Sequence, residues 1–138
     1  MGRGGYRQPA LTSAAALAPM IADGYAAFQA HEAPSRAYVM LMLASRRPAG
    51  VSRRRTSAFE AVIARDTAPP APLTARGLTA VVRMFLSSTG WHLLTEHMGL
   101  SPAEAATTAT WATQTLLDAA SPPTPAVTRK TRKRRGGR

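Results

Sequence analysis

Two histidines in the second half of the chain are the first residues whose types and spacing could do chemistry. The run His92-Leu93-Leu94-Thr95-Glu96-His97 has the residue types of a zinc-protease helix, in which two histidines hold the metal and a glutamate acts as base. Those motifs place the histidines four residues apart, so that both rings lie on one helix face. Here they are five apart, about 140° around a helix. We therefore interpret them as core or interface residues and predict no metal and no other cofactor.

Other catalytic patterns are equally poorly supported. The seven acidic residues are scattered along the chain and offer no acid/base pair. No serine lies in a G-x-S-x-G context, and no glycine-rich loop of the phosphate-binding kind is present in the sequence. The chain has no cysteine, which excludes disulfides and thiol chemistry and is compatible with a reducing cytoplasm. We expect a protein that is not an enzyme.

A dense run of cations lies at the end of the chain. Residues 129–138 supply seven of the +11 net charge, so the rest of the sequence is only mildly basic. The seven are Arg129, Lys130, Arg132, Lys133, Arg134, Arg135 and Arg138. Such a run contacts phosphates without reading bases, and full engagement on DNA would give a salt slope of about −6. The sequence leaves two interpretations open, a non-specific nucleic-acid-binding tail and a solubilising extension without a target.

Membrane insertion and export are not predicted. No apolar run approaches the roughly 20 residues that span a bilayer. Residues 10–18 imitate a signal peptide, but they include Thr12 and Ser13 and are followed by Pro19, where cleavage would occur. We expect a cytoplasmic protein with no membrane partner.

The elements that position these residues are predicted to be helices. Alanine and leucine dominate, and no period-two strand pattern occurs, so the expected class is all-α with about five helices. Proline, glycine and charge divide the chain into a flexible N-terminal segment (1–10), one helical domain (11–120) and a disordered basic tail (121–138).

The strongest pattern is an antiparallel helical hairpin over residues 75–120 that closes the domain. Gly99 has the position of the residue that ends the first arm. Ser101 and Glu104 have the spacing of a capping box, with Pro102 at the first helical position of the second arm. So short a link requires antiparallel arms.

Each arm of this hairpin carries apolar residues on two faces. If the first arm is one helix, a stripe contains Ala80, Met84, Ser87, Trp91, Leu94 and Met98. In the second arm Trp111 lies opposite an alanine-rich face, beside Glu104, Thr108 and Thr115. Two apolar faces need two partners, which favours a homodimer with a four-helix interface. The interface is predicted to include Met84, Trp91, Leu94, Met98, Trp111 and Thr115. The alternative is a hairpin buried in a monomeric bundle.

Three helices are predicted upstream. The first begins at residue 11 or at Pro19 and ends at residue 30. The second, over 35–46, is apolar all round and is expected to be the most buried element. The third, over 52–65, has Ser52 as its expected N-cap. Three arginines at 53–55 in its first turn oppose the helix dipole, which indicates either an anionic partner or a solvated cluster.

Several segments of the helical region combine these helix patterns with short turn motifs. They are residues 24–28, 37–43, 76–83, 90–94, 99–106 and 111–117. Together they resemble the C-terminal half of TetR-family transcriptional regulators. The resemblance implies an all-helical effector-binding and dimerisation domain whose last two helices form the intersubunit bundle.

The N-terminal helix-turn-helix of that family, about 45–60 residues long, has no counterpart here. The implied function is therefore a ligand-responsive regulator domain without its own DNA reader, either truncated or standing alone. DNA binding is expected only weakly or through a heterodimeric partner chain. The alternative function is a small basic protein that binds nucleic acid through its tail.

The resemblance also implies a cavity for a small apolar ligand between the middle helices. Aromatic residues and methionine form apolar walls that adapt to varied shapes. The expected lining is Tyr25, Phe28, Tyr38, Met42, Phe59 and Phe85, with His92 or Arg83 as the polar contact. Taken one at a time, residues of these types are more often ordinary core residues than pocket lining, and that alternative stays open.

Overall fold

The computed structural model describes residues 11–45 and 50–122, apart from the side chains of residues 50–52. Within these ranges the chain forms six α-helices and no strand, which confirms the all-α prediction. The helices are α1 (Pro19–Ala30), α2 (Glu32–Ala44), α3 (Gly50–Asp66), α4 (Ala75–Leu86), α5 (Ser88–His92) and α6 (Pro102–Ala119). A 3-10 turn, Ala14–Ala16, precedes α1, and a π turn, Leu93–His97, follows α5. None of the helices in the described ranges is long and apolar enough to cross a membrane.

Helix α6 packs against α1 and α4 through its small residues. Ala105 and Ala109 are fully buried and share a cluster with Ile21 and Tyr25 of α1. Because interhelical distance depends on the side chains at the contact, alanines let the two helices approach closely. The alanine-rich face of α6 is thus covered within one molecule.

A second core cluster connects α3 with α4 and with the end of α6. Phe59, Val62 and Ile63 are its α3 members. The cluster also contains Leu78 and Val82 of α4, Leu117 of α6, and Ala14, Leu17, Met20 and Ala120. This cluster fixes α3 and α4 side by side.

The turn before α6 has the predicted geometry. The Ser101 hydroxyl accepts a hydrogen bond from the Glu104 amide at 3.3 Å, and the Glu104 carboxylate accepts one from the Ser101 amide at 2.8 Å. Gly99 has φ +70°, the left-handed conformation that glycine adopts most readily. The capping box and the helix-ending glycine are confirmed.

The first arm of the hairpin is not one helix, and this part of the prediction is wrong. Ser87 has φ −96° and ψ 158°, so its extended backbone separates α4 from α5. The Ser87 hydroxyl accepts a hydrogen bond from the Gly90 amide at 3.1 Å and so caps the new helix. The predicted stripe from Met84 to Trp91 is therefore not a single face.

Helix α2 also differs from its prediction. Most of α2 is exposed, since Val39 is its one buried residue. Tyr38, Leu41 and Leu43 are 51%, 66% and 65% exposed. Only one side of α2 meets α1 and α5. An apolar pattern that runs all round a helix does not reveal which side has neighbours. The Arg36 guanidinium contacts the carboxylate of Glu96 and so joins α2 to the π turn.

The remaining boundaries lie close to expectation. Helix α1 begins at Pro19, one of the two predicted starts. Helix α3 begins at Gly50, so Ser52 lies inside the helix and is not its N-cap. The predicted flexible segment 1–10 and the tail from residue 123 onward lie outside the described residues.

Candidate ligand-binding site

A cleft of about 710 Å³ separates α2 from α3 and α4. Its volume is in the range of roughly 300–1,000 Å³ that is typical of small-molecule sites. Helix α2 packs against α1 and α5, and α3 packs against α4, which leaves this space between them. The lining residues are Phe28, Pro34, Ser35, Tyr38, Met42, Arg55, Phe59, Arg83, Met84, Leu86, Ser87, Ser88 and Thr89.

Four of the seven residues predicted to contact a ligand lie around this cleft. Phe28 comes from α1, Tyr38 and Met42 from α2, and Phe59 from α3. Arg83, the alternative polar contact, lies in the same lining. The structure therefore brings an aromatic and methionine wall together with one of the two expected polar groups. Ligand contact by these residues stays a prediction.

Tyr25 and Phe85 are in the core and not in the cleft lining. The Tyr25 hydroxyl donates a 2.8 Å hydrogen bond to the Phe85 carbonyl oxygen. That carbonyl is near the C-terminal end of α4, where helix carbonyls lack an intrahelical partner. Burial raises the pKa of Tyr25 well above its ordinary value. Tyr25 thus ties α1 to the end of α4.

His92 is buried outside the cleft lining. Its ring centroid lies 6.4 Å from that of Trp91 and 5.6 Å from that of His97. The buried His92 Nδ1 atom has no hydrogen-bond partner among the described residues. In the described ranges no three His, Asp or Glu side chains are grouped so that they could hold a metal ion.

Of the described residues, two arginines and no carboxylate line the cleft. The Arg83 guanidinium donates a hydrogen bond to the Thr56 hydroxyl and lies 5.7 Å from the centroid of the Phe59 ring. Partial burial and the nearby charge of Arg55 both lower the pKa of Arg83. The cleft is therefore apolar on one side and cationic on the other.

The sequence analysis named Arg55 only within the arginine cluster 53–55, for which it left an anionic partner open, and missed it as a residue of the ligand cleft. It also missed the hydroxyl-bearing residues at the start of α5. Arg55 precedes Phe59 by four residues, so the two lie on the same face of α3 and a helical wheel could have paired them. Ser88 and Thr89 reach the cleft only because α4 ends at Leu86. The signal for that break was Ser87, three residues before Gly90.

The predicted dimer-interface residues do not form one surface. Trp91 is 1% exposed and packs within the core, with its ring 6.0 Å from that of Phe28. It has no surface to offer a second copy, so its assignment to an interface is wrong. Leu94 packs against the same cluster, and Met84 lines the cleft. The break at Ser87 separates these residues from one another.

Trp111 is a predicted interface residue that the structure leaves exposed. Its side chain is 68% exposed and lies on the side of α6 opposite the buried Ala105, Ala109 and Thr113. Thr115, one turn further along, is exposed as well. Met98, at the end of the π turn, is 64% exposed. These three residues remain candidates for contact with another molecule.

The residues predicted to bind nucleic acid lie outside the described ranges; they are Arg129, Lys130, Arg132, Lys133, Arg134 and Arg135. Comparison of the chain with protein-family models, with curated proteins and with solved structures found no match. The resemblance to TetR-family regulators therefore stays a prediction.

Proposed function

We propose that residues 19–120 form a ligand-sensing helical domain of the kind found in TetR-like transcriptional regulators. In this proposal the domain binds a small, largely apolar molecule and pairs with a second copy, and it acts in the cytoplasm. The all-helical fold and the cleft between α2 and the α3–α4 pair support it.

The observation that carries the proposal is the composition of the cleft lining. Phe28, Tyr38, Met42 and Phe59 come from three different helices and border one open space. Tyr38 is half exposed and Met42 only partly buried, so a ligand would remove more apolar surface from water. A bound molecule would also join α2 to α3, which pack against different neighbours in the free domain.

Ligand binding can be tested with decan-1-ol as the probe. Trp91 reports on the cleft because its ring is 6.0 Å from that of Phe28, a lining residue. In a Trp111→Phe background, Trp91 is the one tryptophan of the chain. We expect a saturable change in its fluorescence as decan-1-ol is added. Met42→Arg should abolish the change by placing a charge in the apolar wall.

Leu41→Arg is the matched control for that variant. Leu41 neighbours Met42 on α2, is 66% exposed and does not line the cleft. Its replacement should leave decan-1-ol binding unchanged. If neither decan-1-ol nor decanoate gives a saturable response in the Trp111→Phe background with an unsubstituted cleft, the proposal is contradicted.

Self-association is the second part of the proposal. Exposed Trp111 and Met98 are large apolar side chains of the kind that protein interfaces cover. The described structure of one copy leaves both without a covering neighbour. A pair of α6 helices meeting about a twofold axis would bury them.

A second candidate function rests on the tail. Seven cations in residues 129–138 favour salt-sensitive contact with a polyanion such as DNA. This activity would be independent of the cleft.

A further inference from the structure

We propose that the ligand of the cleft is an amphipathic carboxylate, with its anionic head bound by Arg83 and Arg55 and its apolar body against α1 and α2. This inference rests on the proposed ligand-binding function and adds the chemical class of the ligand. It follows from the charges of the lining, their partners and their placement on one wall.

The first step concerns the charges. The lining contains the cations Arg55 and Arg83 and no Asp or Glu. Among the described residues, the ion pairs join Arg36 to Glu32 and Glu96, and Arg65 to Asp66. None of them involves a cleft arginine. The cleft thus has positive charge without a carboxylate of the described chain to offset it.

The second step concerns the environment of Arg83. Its guanidinium is partly buried, lies over the Phe59 ring and donates to the Thr56 hydroxyl. Partial removal of the Arg83 cation from water raises its free energy, and repulsion by the neighbouring Arg55 cation raises it further. An anion placed at both guanidinium groups would offset that cost. The planar guanidinium can form two parallel hydrogen bonds with a carboxylate, which makes this anion the best geometric match.

The third step concerns the placement of charge. Both arginines lie on the α3–α4 wall. Among the residues that the structure describes, the opposite side, from α1 and α2, contributes Phe28, Tyr38 and Met42 but no charged group. A ligand that satisfies both walls needs an anionic end and an apolar body. A purely apolar or a cationic molecule would satisfy only one of them.

Three probes with the same apolar chain test this inference: decanoate and decyltrimethylammonium below their micelle concentrations, and decan-1-ol below its solubility limit. Trp91 fluorescence in the Trp111→Phe background gives the dissociation constants. We expect decanoate to bind about tenfold more tightly than decan-1-ol, because hydrogen bonds to charged groups are the stronger ones. Decyltrimethylammonium should bind most weakly, because it brings a third cation to the cleft.

Arg83→Gln and Arg55→Gln should each weaken decanoate binding more than decan-1-ol binding, so that the preference for decanoate falls in both variants. Arg55 is exposed, so Arg55→Gln should not disturb the packing around Arg83. It therefore tests the inference even if Arg83→Gln destabilises the domain. Arg76→Gln is the matched control, since Arg76 is exposed on α4 and outside the lining. It should keep the full preference.

Equal affinity for decanoate and decan-1-ol would overturn the inference and leave the ligand-binding proposal intact. A preference for decanoate that survives both glutamine variants would overturn it as well. Failure of every probe to bind would contradict the proposed function itself. The two failures are therefore distinguishable in one set of titrations.

Discussion

At the scale of single residues, Gly90 lies against the backbone at the end of α4. A Cβ atom at this position would lie 2.1 Å from the carbonyl oxygen of Met84. Backbone atoms cannot move aside as a flexible side chain can. The glycine therefore sets how closely α5 folds back onto the end of α4.

Gly90→Ala should destabilise the domain by about 3 kcal/mol through this overlap. The free energy of unfolding in urea measures the change. Gly24→Ala is the control, because a Cβ on Gly24, in the interior of α1, meets nothing within 4 Å. That substitution should stabilise the domain by about 0.5–1 kcal/mol. Similar effects from the two alanines would contradict the close approach at Gly90.

Residue roles in the first arm could be predicted only where the helix phase was right. On a helical wheel of the first arm, Leu78 and Val82 lie opposite the Met84 stripe, and both are core residues. Trp91 was assigned to an interface because the helical wheel treated the first arm as one helix, with no break at Ser87. A single extended residue changes the direction of everything that follows it, and Trp91 consequently packs in the core.

At the scale of elements, local signals were predictable and burial was not. Pro19, Gly99 and the Ser101–Glu104 box act within a few residues, so the sequence contains everything that determines them. The burial of α2 depends on which helices lie beside it. Because apolar residues occur on every side of α2, the pattern does not indicate which side is buried. The sequence alone could not show that most of the helix is exposed.

Asp66 joins two elements in a way that depends on pH. Its carboxylate accepts a 2.8 Å hydrogen bond from the Ala14 amide of the 3-10 turn and pairs with Arg65. These contacts lower the pKa of Asp66 from 3.8 to about 2. Because the folded-state pKa is depressed, the stabilisation is complete above about pH 4. It is lost as the pH falls through about 2.

Protonation of Asp66 should therefore account for part of the loss of stability at low pH, which thermal unfolding between pH 2 and 6 would measure. Asp66→Asn should lower the melting temperature at pH 6 and flatten its decline below pH 4. Asp23→Asn, at an exposed position on α1, is the control and should keep the wild-type profile. An NMR titration that gives Asp66 its ordinary pKa would contradict this prediction.

At the scale of the whole molecule, the fold class was predictable and the position of the site only in part. Alanine, leucine and the missing strand periodicity were sufficient for the all-α prediction. Phe28, Tyr38, Met42 and Phe59 were found because cleft walls favour their residue types. Arg55 was missed, since its place beside Arg83 depends on how α3 packs against α4.

The assembly should depend on Trp111. We expect a wild-type dimer in sedimentation equilibrium and a monomer for Trp111→Arg, because a buried unpaired charge opposes association. Met40→Arg is the control: Met40 is 53% exposed on α2, far along the chain from α6, and should leave the dimer intact. A wild-type chain that stays monomeric at high concentration would contradict self-association.

Deleting residues 129–138 in the same series separates the two candidate functions. The dimer mass should persist while retardation of DNA disappears. A shortened chain that still retards DNA with the same salt dependence would contradict a role for the tail.

The contact between Gly90 and the Met84 carbonyl has a consequence for how related sequences should be compared. One wall of the cleft includes Ser87, Ser88 and Thr89. Their position depends on how closely the backbone at Gly90 packs against the backbone at Met84. Two homologues could therefore share every residue that touches a ligand and still differ in the shape of the chamber. The identity of one amino acid behind the wall, which no ligand reaches, would decide between them.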